Sequence, residues 1–194
     1  MPPYIKSGIS GLWAVLMNVL VPLVNGFEEI EVISTVDVLR RAGLKVVIAG
    51  MPGTMLIGDN GIKIIADKRL DDINPEEFQA IVLPGGSGSP TLGKSNKVME
   101  IVRDFNSKNK LIAAICHSPL LLAGAGLLDG RRATVYPGKE RELPKPRGER
   151  VVVDGNIITS QGPGTAMEFA LKIVEALSSR ARAESLRKGL VCRP

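Results

Sequence analysis

The chain of 194 residues is long enough for one domain with a full core and short for two, so a single active site is expected. Its 44% hydrophobic and 23% charged residues exclude a disordered or low-complexity protein. The net charge of +5 is spread along the chain, and its two basic clusters, 139–150 and 180–193, contain no aromatic residues. They read as a solvated loop and a solvated tail, and no nucleic-acid binding is expected. The two cysteines, Cys116 and Cys192, are too few for a secreted disulfide framework and point to a reducing, cytoplasmic setting.

The stretch from Ile9 to Val24 is largely apolar. It is interrupted by Asn18 and Pro22 and is shorter than the ~20 residues of a spanning helix, so no membrane association is expected. Residues 1–16 read as an extension outside the fold, and 17–194 as one domain that opens on a buried strand after Met17.

From there short β-rich runs alternate with amphipathic helical runs: Val19–Val24 then Glu29–Ala42, Lys45–Ala49, Ala80–Leu83 then Asn96–Ser107, Leu111–Ile115 then Pro119–Ala125. Alternation of this kind predicts an α/β fold, a parallel sheet covered by helices on both faces. Helical stripes are formed by Val32, Ile33, Val36 and Leu39, by Val98, Ile101, Val102 and Phe105, and by Ala170, Ile173, Val174 and Leu177. Gly43 stops the first helix, and Thr165 with Glu168 predicts a capping box on the last. Gly58 to Ile65 reads as a short strand pair, and Val151–Val153 with Asn156–Ile158 as a hairpin turning at Asp154-Gly155.

Ligand sites in open α/β sheets gather at the carboxyl ends of the strands. Four junctions qualify: 25–31 (NGFEEIE), 83–88 (LPGGSG), 115–119 (ICHSP) and 160–165 (SQGPGT). In the third, five apolar residues run straight into Cys116-His117-Ser118-Pro119. A cysteine at such a turn stands at the mouth of the sheet beside a helix N-terminus, which favours the thiolate. The bland alternative is a small buried hydrophobe. Gly85 and Gly86 offer backbone N–H groups to an oxyanion, assisted by that of His117. One of Glu28, Glu29 and Glu31 could share a proton with Cys116, and their spacing does not choose among them. His117, the single histidine, is either a base for the thiol or a bystander whose ring points away. No metal-ligand spacing or dinucleotide fingerprint is present, and no cofactor is expected.

With these residues in view, the sequence resembles the ThiJ/PfpI superfamily and its parkinsonism-associated deglycase branch over residues 17–194. The resemblance is carried by N-G-F-E-E-I-E, R-R-A-G-L-K-V, V-L-P-G-G, L-I-A-A-I-C-H-S-P and T-S-Q-G-P-G-T-A-M-E-F-A-L, in the family's order. It implies a flavodoxin-like, class I glutamine amidotransferase-like three-layer sandwich and a homodimer. It also implies a nucleophile elbow at Cys116, and it selects Glu31 as the carboxyl bonded to the thiol. Gly85, Gly86 and His117 become the oxyanion-binding amides, and Pro163 packs beside the site. Tyr136 stands before Pro137 where the animal branch has histidine, whereas His117 after the cysteine is similar to the peptidase-like branch. The implied activity is a glutathione-independent glyoxalase or deglycase acting on methylglyoxal-like aldehydes or glycated protein. The alternatives are a PfpI-type cysteine peptidase, expected as a hexamer, and a redox-sensing chaperone using the same thiol.

Overall fold

The computed structural model describes residues 17–192, so the expected extension at 1–16 lies outside the described residues. Nine strands and six α-helices follow in the order β1 (Asn18–Leu23), α1 (Glu29–Arg41), β2 (Lys45–Gly50), β3 (Met55–Ile57), β4 (Lys63–Ile65), β5 (Lys68–Arg69), β6 (Ala80–Leu83), α2 (Ser89–Lys94), α3 (Asn96–Ser107), β7 (Leu111–Ile115), α4 (Pro119–Gly124), β8 (Val151–Asp154), β9 (Ile157–Ser160), α5 (Ala166–Leu177) and α6 (Arg180–Gly189) among the described residues. A seven-stranded sheet runs β5-β2-β1-β6-β7-β9-β8, with every pairing parallel except that of β8 with β9. The fold is thus the flavodoxin-like three-layer sandwich.

The central strands are uniformly apolar because helices cover both of their faces. All of Leu111–Ile115 and Ala80–Leu83 is buried. One core lies under α1, α5 and α6 around Leu23, Val36, Leu39, Phe169 and Val174. The other lies under α2, α3 and α4 around Leu83, Val98, Phe105 and Leu122. Burying each such side chain stabilises the fold by ~1.5–3 kcal/mol. No helix among the described residues is long and apolar enough to cross a membrane.

Five details differ from the sequence reading. Ile33 does not join the α1 stripe: it is exposed, as is Ile30 one turn earlier, while Thr35 and Val38 face inward. Thr165 does not cap α5 with its side chain. Its hydroxyl turns back to Ser160 at 2.6 Å and to the carbonyl oxygen of Gly162 at 2.8 Å, and Glu168 pairs instead with Arg150 at 3.0 Å. The strand pair starts earlier, at Met55, so that 58–62 form its turn. In the β8–β9 hairpin Asp154 pairs with Ile157, which shifts the turn to Gly155-Asn156, where Gly155 takes φ 60°. The expected basic tail is helical: Ser179 caps α6 at 3.1 Å, and buried Ala183 anchors it on the core beneath α5.

Candidate active site

Cys116 follows the last residue of β7 with φ at 66°, the left-handed region in which a non-glycine residue is strained by ~1–3 kcal/mol. Three backbone bonds hold it there. Its N–H donates to the Ser160 carbonyl at 3.0 Å, its own carbonyl accepts from Tyr136 N–H at 2.9 Å, and Ser118 N–H closes the turn onto the Ile115 carbonyl at 3.1 Å. The Ser118 hydroxyl, fully buried, donates to the Pro84 carbonyl at 2.5 Å and so ties this turn to the glycine loop after β6. The strain re-aims the chain so that Sγ sits at the carboxyl edge of the sheet.

The three acidic residues of the α1 junction separate cleanly. Glu28 is the N-cap of α1, its Oε2 accepting from Glu31 N–H at 2.7 Å. Glu29 is buried and accepts from the backbone and side chain of Asn60 at 2.6 and 3.0 Å, holding the β3–β4 turn. Glu31 alone reaches Cys116. It is 1% exposed, and its Oε2 accepts from Gly85 N–H at 2.8 Å, while Oε1 is buried with no hydrogen-bond partner. Burial raises its pKa to about 7, with repulsion from Glu28 and Asp59 adding to the rise, against the pull of the Gly85 amide and the bond to the Cys116 thiol.

The thiol does not behave as a helix-terminus position alone would predict. Burial first, and then the adjacent Glu31 carboxyl, push it up to about 12, although the neighbouring backbone amides of Gly86 and His117 pull the other way. The two acids are adjacent, so ionisation of Glu31 disfavours ionisation of the thiol. The Gly85 N–H is committed to Glu31, which leaves Gly86 and His117 as the amides aimed at the sulfur.

Gly85 has no room for a side chain: a methyl there would lie 2.8 Å from Glu31 Oε2 and 2.9 Å from Cys116 Sγ, and closer still to Cys116 Cβ. Gly85→Ala is therefore expected to lower stability by ~2 kcal/mol or more and to separate the pair. Urea unfolding together with the reaction rate of Cys116 toward a thiol-specific dye measures both effects; an unchanged midpoint and rate would refute the close packing. Gly86, at φ 96°, lies against the backbone of Gly26, Phe27 and Glu28, so the two loops meet with no side chain between them.

An open cleft of about 600 Å³ leads to the sulfur. It is lined by Glu28, Gly86, Cys116, His117, Tyr136 and Pro163 among the residues singled out in the sequence, and also by Asp59, Ser87, Leu120 and Lys139. The His117 ring does not point away: Nδ1 lies 3.2 Å from Cys116 Sγ, and the ring stacks on Tyr136 with centroids 4.9 Å apart at 19°.

The chain as a whole has known counterparts. A sequence profile of the DJ-1/PfpI family matches residues 17–176. The chain belongs to the DJ-1/PfpI family. Among its DJ-1/PfpI relatives, the DJ-1beta protein of Drosophila melanogaster is 42% identical over 180 residues, covering 90% of this chain and 96% of that one. The crystal structure of Drosophila DJ-1beta superposes with a TM-score of 0.87 at 40% identity, covering 92% of this chain and 99% of that one. A protein named as a glutathione-independent glyoxalase from Caenorhabditis elegans is 39% identical over 84% of this chain and 89% of its own length. One named as a deglycase from Pyrococcus horikoshii is 36% identical over 83% and 99%.

Among the cleft residues that sequence reasoning missed is Asp59. It comes from the β3–β4 turn, where its carboxylate accepts from the Ser87 N–H at 2.7 Å and the Ser87 hydroxyl at 2.5 Å. The available signal was Gly58-Asp59-Asn60-Gly61, a turn sequence, but nothing local tells which loop such a turn faces.

Proposed function

We propose that this protein is a cofactor-independent, glutathione-independent glyoxalase or deglycase that acts on methylglyoxal-like 2-oxoaldehydes through Cys116. The observation that carries this reading is the buried Glu31 carboxyl, with a pKa near 7, bonded to the cleft thiol and keeping one oxygen free of any partner. A carboxyl of that pKa is matched to moving a proton at neutral pH. The relatives named as glyoxalase and deglycase support the same reading.

In the proposed reaction Cys116 sulfur bonds to the aldehyde carbon, its proton passing to the new hydroxyl, and the Gly86 and His117 amides stabilise the oxygen while it carries charge. Glu31 as carboxylate takes the hydrogen of that carbon as a proton and returns a proton to the neighbouring carbonyl carbon. The hydroxyl protons redistribute, giving a 2-hydroxyacyl thioester. Water breaks the C–S bond, releasing the 2-hydroxy acid and regenerating the thiol. No electrons enter or leave, so no redox cofactor is required. The test is formation of lactate from methylglyoxal by the reduced protein with no glutathione present; no lactate above the buffer rate would sink the proposal.

The 3.2 Å contact of His117 with Cys116 favours a second reading, a cysteine peptidase with His117 as base. Hydrolysis of fluorogenic peptides, lost in His117→Ala and accompanied by a hexamer in gel filtration, would support it.

We further propose a homodimer formed by a second copy against the exposed Ile30 and Ile33 of α1 and the exposed Met55, Ile57, Ile62 and Ile65 of the adjoining hairpin. The double variant Ile33→Asp with Ile57→Asp is expected to elute as a monomer where the parent elutes as a dimer. A monomeric parent would refute this part.

A further inference from the structure

We propose that the mouth of the Cys116 cleft discriminates against anionic substrates, through the carboxylates of Glu28 and Asp59. The inference deepens the glyoxalase reading and depends on it only for its consequence in turnover. Asp59 is held firmly at the rim. Its backbone N–H donates to the Phe27 carbonyl at 2.9 Å, the neighbouring Ile57 carbonyl accepts from Gly26 N–H at 2.8 Å, and both carboxylate oxygens accept from Ser87. Glu28, which also lines the cleft, is pinned by its capping bond to Glu31 N–H. The lysine among the lining residues, Lys139, does not offset them freely, because its Nζ pairs with Glu142 Oε1 at 3.0 Å. Beneath the sulfur lies a third carboxyl, that of Glu31.

An incoming molecule with negative charge therefore meets two fixed carboxylates whose field is focused by the low-dielectric walls of the cleft. A neutral 2-oxoaldehyde meets no such barrier, and a carbonyl group carried next to a cation, as in an adduct on a lysine or arginine side chain, is drawn in. Aldehydes that carry a carboxylate or phosphate group are disfavoured although their reacting carbonyl is the same. Specificity of this kind acts by repulsion and weakens as salt screens it.

Alkylation of Cys116 by iodoacetamide and iodoacetate tests the barrier without turnover, since the two reagents are of similar size and differ by one charge. In each, sulfur bonds to the methylene carbon and iodide leaves, the thiol proton passing to solvent. Rates are read by mass spectrometry at pH 8 and low salt in a Cys192→Ser background, and each is divided by the rate for a small free thiol. The expected result is a handicap for iodoacetate at Cys116 on the order of tenfold beyond that of the free thiol. The handicap shrinks in Asp59→Asn, in Glu28→Gln and in high salt. An iodoacetate handicap equal to that of the free thiol, or one that neither substitution nor salt reduces, would overturn the proposal. Absence of lactate formation with the handicap present would remove the glyoxalase reading and leave this one standing.

Discussion

Replacing Glu31 by glutamine is expected to lower the turnover of methylglyoxal by ~10²–10⁴-fold and, at the same time, to make the protein more stable at alkaline pH. The first effect follows from removing the group that carries a proton between the two carbons while leaving the sulfur, the amides and the cleft in place. The second follows from the raised pKa of a carboxyl that is 1% exposed. Between the ordinary value of 4.5 and the folded value of about 7 the folded state binds more protons than the unfolded one, so stability falls as pH rises through that window. Above it the full penalty, on the order of 3 kcal/mol, applies. Glutamine keeps the shape and carries no charge to bury. Thermal unfolding should show Glu31→Gln several degrees above the parent at pH 8, with the gap closing toward pH 4. A variant less stable than the parent at pH 8 would mean that the ionised carboxyl is better compensated than its partnerless Oε1 indicates. The pH profile of kcat/KM supplies a cross-check: the parent should rise through an inflection near pH 7 that belongs to the Glu31–Cys116 pair, and Glu31→Gln should lack it.

The second large effect concerns the thiol. Cys116→Ala is expected to reduce lactate formation to the buffer rate, a loss of at least ~10⁴-fold, because Cys116 is the one thiol among the residues that line the cleft. The fold should survive, since alanine adopts the same φ of 66° at a similar strain and the backbone bonds to Ser160 and Tyr136 do not involve the side chain. Loss of turnover with an unfolding midpoint within ~1 kcal/mol of the parent separates a chemical role from a structural one. Residual turnover above ~1% of the parent would assign the chemistry to another group.

Much of this arrangement is legible in the sequence. The sheet was readable because strands buried on both faces must be continuous apolar runs, and Leu111–Ile115 and Ala80–Leu83 are such runs. The position of Cys116 followed from its place at the end of one of them. Periodicity recognises an apolar helix face but not what covers it, which is why Ile33 was read into the core although it is exposed on α1. Among Glu28, Glu29 and Glu31 the decision lies in tertiary partners: one caps the helix, one binds a turn some thirty residues away, and one meets a thiol more than eighty residues away. The resemblance had selected Glu31, but the reason it differs from its neighbours appears only when the Gly85 loop and Cys116 are brought against it. The high thiol pKa was hidden for the same reason: a helix N-terminus is visible in a sequence, whereas burial and an adjacent carboxyl are properties of the assembled site.

The most direct measurement is the conversion of methylglyoxal by the fully reduced parent, without glutathione, in deuterated water, with the product followed by NMR. Lactate carrying deuterium at its second carbon, absent in both Cys116→Ala and Glu31→Gln, is the expected result, because a proton held by Glu31 exchanges with solvent before it is returned. Failure of the reduced parent to form lactate, or formation by either variant at the parent's rate, would contradict a reaction carried by Cys116 and Glu31.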